Sequence, residues 1–254
     1  RDDIMIKLLS FVCFISLFPF ISNGQNPQWM DFTEGTMVID IKYNNNKVWY
    51  GTRGGLVCYD ILSDSTIFYT MANSGLPDNH VCAISIDRIG RTWIGTWSSV
   101  ALFDDTNWTV YNYQNSILPD TSFCSIEIGP DGSIWIGASN SELFHIMNDT
   151  IWEKFDNVNS TLQNSDIYDI AFQDSLIWVA NYAGGFHCFN GHNWELFNYP
   201  DSGIVDGSIF YDINIIEDTI WVSAMYSLIN IVDNEWTQFY PEDFGLRNSV
   251  IYES

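Results

Sequence analysis

Basic side chains are scarce in this sequence. Nine Lys and Arg stand against 32 Asp and Glu, a formal net charge of −23. A surface so short of cations cannot replace the counterions of a phosphate backbone, which excludes nucleic-acid binding. Anionic membrane surfaces are disfavoured for the same reason. No apolar run reaches the ~20 residues that span a bilayer. Apolar spacing of three and four is absent, which argues against helical repeats. Also missing are a G-x-S-x-G elbow, a phosphate loop and a zinc-protease helix. Acid pairs are too numerous for one to stand out as a glycosidase dyad. What is abundant is aromatic: 16% of residues, with 11 Trp, 13 Tyr and 17 Phe. A disordered acidic chain would lack them, so the sequence must bury a sizeable core.

The N-terminal segment reads as an export signal rather than as fold. Met5, Ile6 and Lys7 precede an apolar run from Leu8 to Ile21, which ends in Ser22-Asn23-Gly24. A basic start, a short apolar core and a small-residue exit are the pattern of a secretory signal peptide. We therefore read 1–4 as upstream residues, 5–24 as the signal peptide and 25–254 as the exported domain. Cys13 lacks the preceding small residues of a lipoprotein box. Removing residues 1–24 takes away Arg1, Lys7, Asp2 and Asp3 and leaves the net charge unchanged, so the acidity belongs to the exported domain.

The strongest feature is internal self-similarity. Five segments share one pattern around Trp49, Trp93, Trp135, Trp178 and Trp221, at intervals of 44, 42, 43 and 43 residues. A second series follows 15–17 residues later at Trp108, Trp152, Trp194 and Trp236, with Thr66 to Tyr69 standing there in the first repeat. An alternating run precedes each first-series Trp, and a third apolar run lies between the two series. Each unit is thus four short strands separated by turns, in about 43 residues. We label the strands A to D, with A innermost. Four-stranded units of this period predict an all-β fold, a β-propeller, because each small sheet has two apolar faces to bury against neighbours. Trp29 to Phe32 match an isolated D strand, and Leu246 to Ser254 match the approach to an A strand. The expectation is five complete blades, plus a strand at either end, within a larger ring of about six to eight blades.

The motif Asp87-Arg88-Ile89-Gly90-Arg91-Thr92-Trp93-Ile94-Gly95-Thr96 resembles the two-component regulator propeller repeat. So do Gly51-Thr52-Arg53-Gly54-Gly55-Leu56 and Asn73-Ser74-Gly75-Leu76-Pro77. The resemblance covers nearly all of 29–254, and Ala180-Asn181 and Ser223-Ala224 depart from the Gly-Thr pattern. It implies an exported, Bacteroidetes-type propeller. Such a propeller is the periplasmic sensing region of a hybrid two-component system, many of them tied to glycan use, or part of a secreted surface protein with a sorting domain.

Candidate ligand residues lie four positions after each strand-B Trp, where an otherwise regular repeat varies: Arg53, Trp97, Ser139, Tyr182 and Met225, with Tyr226 beside the last. The B–C connections point to the channel mouth, the usual ligand position, if the family topology holds. Trp97 and Tyr182 could stack on sugar rings, and Arg53 could hold a carboxylate. The bland alternative is a solvated loop. The strand-B Trp residues are expected to pack between blades. Cys58, Cys82, Cys124 and Cys188 read as small buried residues, with Cys82–Cys124 the one pairing worth testing. His187-Cys188 and His192 lack the partners of a zinc site, and Asp104-Asp105 and Asp131 lack calcium-loop spacing. No cofactor or catalytic residue is assigned. The expected partner is a small molecule, an oligosaccharide or a protein, with membrane contact only through further sequence. The functional expectation is a non-catalytic exported sensor. The alternatives are a surface-displayed binding propeller and a propeller lyase or glycosidase.

Overall fold

The computed structural model describes residues 37–163, 166–182, 185–197, 209–233 and 235–245. The signal segment and both terminal strands read from the sequence lie outside them. The alternating runs form twenty strands in five four-stranded antiparallel sheets. Blade 1 contains β1 (Val38–Asn44), β2 (Lys47–Thr52), β3 (Gly55–Asp60) and β4 (Ser65–Tyr69). Blade 2 contains β5 (Val81–Ile86), β6 (Thr92–Thr96), β7 (Val100–Phe103) and β8 (Trp108–Tyr111). Blade 3 contains β9 (Phe123–Ile128), β10 (Ile134–Ala138), β11 (Leu143–Met147) and β12 (Ile151–Phe155). Blade 4 contains β13 (Ile167–Gln173), β14 (Leu176–Asn181), β15 (Gly185–Phe189) and β16 (Trp194–Phe197). Blade 5 contains β17 (Phe210–Ile216), β18 (Thr219–Ala224), β19 (Ser227–Val232) and β20 (Glu235–Phe239). Each sheet runs A-B-C-D in order, so every connection within a blade is a hairpin. Asn45 and Asn46, at φ 49° and 63°, make the first one. Two consecutive left-handed residues give the turn whose twist matches the strands, and Asn tolerates that conformation.

The first strands of successive blades lie side by side, β1 to β5 to β9 to β13 to β17. This is the radial arrangement of a propeller, with strand A innermost. Four apolar layers form between the five blades, each joining one face of a blade to the opposite face of the next. Trp49, Trp93, Trp135 and Trp178 enter these layers at no more than 5% exposure. The second-series Trp residues meet the preceding blade's D strand. Tyr69 contacts Trp108, Tyr111 contacts Trp152, Phe155 contacts Trp194 and Phe197 contacts Trp236, at centroid distances of 5.7, 5.3, 5.5 and 5.0 Å. The two end faces differ. Ile84, Ile126, Ile170 and Ile213 are buried, whereas the equivalent Ile41 of blade 1 is 40% exposed. On blade 5, Trp221 is only half-buried. Among the described residues, these two faces have no covering blade.

The scarce cations tie blades together. Lys47 Nζ lies 3.0 Å from Asp105, joining blade 1 to blade 2. Arg91, at the equivalent position, clamps Asp149 of blade 3 through both terminal nitrogens at 2.9 Å. The separation in sequence is 58 residues in both cases.

Candidate functional site

The site builds from a repeated irregularity in strand A. In every blade the A–B register slips by one residue near the start of the strand. The bulged residues are Ile39, Cys82, Cys124, Tyr168 and Tyr211. A bulge re-aims the side chain at that point and sharpens the local twist. It occurs at one end of the inner strands, where the B–C and D–A connections also converge.

Those connections are held rigidly. In the D–A loop, Asn73 donates to the Phe68 carbonyl at 2.9 Å and accepts from the Thr70 N–H at 2.8 Å. Asn115 and Asn159 repeat this arrangement. Leu76, Leu118 and Leu162 then anchor the loops in the core. At the B–C turn, the Thr52 and Thr96 hydroxyls donate to the carbonyls of Gly55 and Ser99 at 2.9 and 2.7 Å. The glycine before each of these threonines makes room for the next blade. A Cβ on Gly95 would lie 2.3 Å from the Phe123 carbonyl oxygen.

The variable positions stand next to the entry of strand A. The N–H groups of Ser139, Tyr182 and Met225 donate to the carbonyls of Ser122, Asp166 and Ile209, the residues just before β9, β13 and β17. In blade 2 the equivalent neighbours are Trp97 and His80, whose rings stack 3.9 Å apart. Trp97 is 57% exposed. Tyr182 meets the bulge residue Tyr168 edge-on at 5.6 Å, and Tyr168 contacts Tyr211 at 5.6 Å. Arg53 and Tyr226 are exposed, and Met225 is half-buried. Arg53 has no ion-pair partner among the described residues. Burial lowers the pKa of His80, with the positive charge of Arg53 acting in the same direction. All five residues predicted from the sequence therefore project from the same end of the blades. Arg53 and Trp97 group with His80, and Tyr182 groups with Tyr168 and Tyr211, while Met225 and Tyr226 belong to neither group. The sequence reading missed His80 and the bulge residues Ile39, Tyr168 and Tyr211, and it named the other two, Cys82 and Cys124, only as a pairing to test. The available signal was the varying first residue of each alternating run.

Below the mouth, the next inward positions are charged. Lys42 Nζ approaches Glu127 of blade 3 at 3.8 Å. The Asp40 carboxylate accepts the Ile41 N–H at 2.7 Å and the Ile84 N–H of the next blade at 2.6 Å. Asp169 accepts the Ile213 N–H at 2.7 Å in the same way. These carboxylates satisfy inner-edge amides that have no strand partner. Burial pushes the Asp169 carboxyl well up, and the charge of Asp212 pushes it further. Burial opposes the charge on Lys42, but Asp40, Glu127, Asp169 and Asp212 outweigh it and hold its pKa up.

A pH dependence follows with a definite sign. A raised Asp169 binds its proton more tightly folded than unfolded. Its contribution is present below the ordinary value of 3.8 and is lost as pH rises through the raised folded value. Asp169→Asn should flatten that decline while keeping an acceptor for Ile213. Denaturant midpoints at pH 4 and pH 8 should draw together relative to the unaltered chain. An unchanged difference would refute it.

Two pockets lie away from this mouth. One, of about 410 Å³, sits between blades 3 and 4 against Trp135, His145, Phe172 and Asp174. The other, of about 460 Å³, is lined by Arg88, Arg91, Asp131 and Asp149. None of Arg53, Trp97, Tyr182, Met225 and Tyr226 lines either. The mouth is an open surface, and it qualifies through its exposed rings and through Arg53, unpaired among the described residues. Among the described residues no group of His, Cys, Asp and Glu is arranged to hold a metal ion.

Residues 75–98 match the two-component regulator propeller family, so the repeat resembled in sequence is present as such. No curated protein matches the chain. Among solved structures, the extracellular domain of a hybrid two-component system from B. thetaiotaomicron is similar at TM-score 0.68 and 22% identity. The match covers 77% of this chain and 28% of that one. A second such domain from the same organism gives TM-score 0.62 at 17% identity, covering 74% and 26%. A catalytically inactive virginiamycin B lyase from Staphylococcus aureus with quinupristin gives TM-score 0.66 at 19% identity, covering 87% and 73%. The chain thus spans little more than a quarter of the two-component extracellular domains it matches. At these identities the likeness establishes the propeller fold.

Proposed function

We propose that this chain is part of the exported sensing propeller of a two-component regulator, and that it binds its ligand at the bulge-end mouth without catalysis. The observation that carries this reading is the exposure of Trp97 and Tyr182 at repeat-equivalent, sequence-variable positions on a rigid frame. Arg53, unpaired among the described residues in a protein with few cations, suits a carboxylate on the ligand. The rings suit the flat faces of a small molecule or an oligosaccharide. The family of the repeat and the similar extracellular domains support the sensing role and an exported location.

The test is binding of a glycan panel, acidic sugars included, followed by calorimetry on any hit. Each aromatic contact is worth about 0.5–1.5 kcal/mol. Trp97→Ala combined with Tyr182→Ala should therefore weaken binding roughly tenfold or more. A hit whose affinity survives the double substitution would place the ligand elsewhere.

A lyase is the second reading, favoured by the likeness to virginiamycin B lyase. His80, kept neutral by burial beside Arg53, is the group that would serve as its base. Loss of quinupristin on incubation with the chain, abolished by His80→Ala, would select this reading. Unchanged quinupristin would remove it.

A further inference from the structure

We propose that Cys82 and Cys124 are a redox-active pair that closes to a disulfide joining blades 2 and 3 at the channel mouth. The two residues occupy the same bulge position in β5 and β9, which lie side by side. Each thiol is the first influence on the other's titration, as it would be for two neighbouring sulfurs. The other described cysteines are placed differently. Cys58 lies in β3 of blade 1 and Cys188 in β15 of blade 4, in separate apolar layers. Those two behave as small core residues. One structural irregularity thus sets Cys82 and Cys124 at the same position on neighbouring inner strands.

The two sulfurs are also unequal. Cys124 is half-buried, and Cys82 and then Ser122 draw its pKa down against the cost of burial. Cys82 is 7% exposed, and Cys124 together with burial keeps it protonated. The more exposed Cys124 is the sulfur an external disulfide can reach, and the buried Cys82 is the one placed to resolve.

With a small-molecule or protein disulfide as oxidant, the Cys124 thiolate attacks one sulfur of that disulfide. The oxidant's S–S bond breaks and its first thiolate leaves. Cys82 then gives up its proton and attacks Cys124 in the mixed disulfide, releasing the second thiol. Two protein thiols and one external disulfide become one protein disulfide and two external thiols. Two electrons pass from the protein to the oxidant.

The consequence lies at the mouth. His80 precedes Cys82 by two residues, and Ser122 precedes Cys124 by two. Oxidation therefore fixes the spacing between the Trp97–His80 stack and the Ser122–Ser139 pair, whose hydroxyls are 2.7 Å apart. The inference stands whether or not the mouth takes a ligand.

The experiment uses the whole chain, equilibrated in oxidised and reduced glutathione and mapped by non-reducing mass spectrometry. The expected product is a Cys82–Cys124 linked peptide, with Cys58 and Cys188 still free. Under limiting alkylating reagent without oxidant, Cys124 should label first. Cys82→Ser should trap Cys124 as a glutathione adduct, whereas Cys124→Ser should leave Cys82 unmodified. The mapping of the unaltered chain decides the matter even if a variant misfolds. Absence of the linked peptide under oxidising glutathione, or oxidation spread equally over Cys58, Cys82, Cys124 and Cys188, would overturn the proposal.

Discussion

Asp87→Ala should destabilise the protein by about 3 kcal/mol, the lower part of the range for breaking a buried charge pair. Asp87 lies in the turn between β5 and β6, and its side chain is 6% exposed. Its carboxylate accepts from the Ile89 N–H at 3.1 Å, the Arg91 N–H at 2.9 Å and Arg91 Nε at 2.6 Å. It also accepts from Trp93 Nε1 at 3.4 Å. Alanine would strip these donors of their acceptor and leave the guanidinium of Arg91 with Asp149 alone. Because Arg91 keeps that second partner and is partly solvated, the loss falls short of the upper figure. For a domain of this size the thermal midpoint should drop by roughly 6–12 °C. Asp87→Asn keeps an acceptor but loses the charge, so its midpoint should lie between the two. If Asp87→Ala melts within a degree of the unaltered chain, the carboxylate is not what orders this turn.

The D-x-x-G signature before strand B was legible as a motif, and this network is its physical content. Blade 3 shows how it drifts. There the Ser133 hydroxyl receives Trp135 Nε1 at 3.1 Å and itself donates to Asp131 at 2.6 Å. The blades were legible because a strand's period and a Trp every 43 residues are local signals. The ties between Arg91 and Asp149, and between Lys47 and Asp105, were not. They join residues 58 apart, and only the angle between neighbouring blades makes them partners. The mouth was half legible. Variation after each strand-B Trp marked Arg53, Trp97, Tyr182, Met225 and Tyr226. The bulges that add Tyr168, Tyr211 and the two cysteines are a property of register between strands, and in the sequence they show only as a varying first residue of each alternating run. The charges beneath are similar. Lys42 and Glu127 belong to blades 1 and 3, and the curvature of the whole array brings them together.

Trp93→Ala should cost about 3–5 kcal/mol, the range for emptying a buried aromatic site. Trp93 is fully buried, stacks on Tyr111 at 5.8 Å and lies in the layer between blades 2 and 3. The same substitution at Trp221 should cost clearly less. That ring occupies the equivalent place in blade 5 but is half-buried, with Phe239 stacked 6.1 Å away. The two residues share strand, face and chemistry, so the difference isolates what a neighbouring blade contributes. Guanidinium unfolding of both variants supplies the measurement. In a longer polypeptide that lays another blade on β17–β20, the Trp221 penalty should rise toward that of Trp93. The exposed Ile41 of blade 1 should become sensitive to Ile→Ala at the same time if the ring then closes. Equal penalties at Trp93 and Trp221 in the present chain would mean that blade 5 is already covered. Double substitution of Asp87 and Trp93 should cost less than the sum of the single effects. The indole is one of the donors the carboxylate serves, and residues in one network do not add.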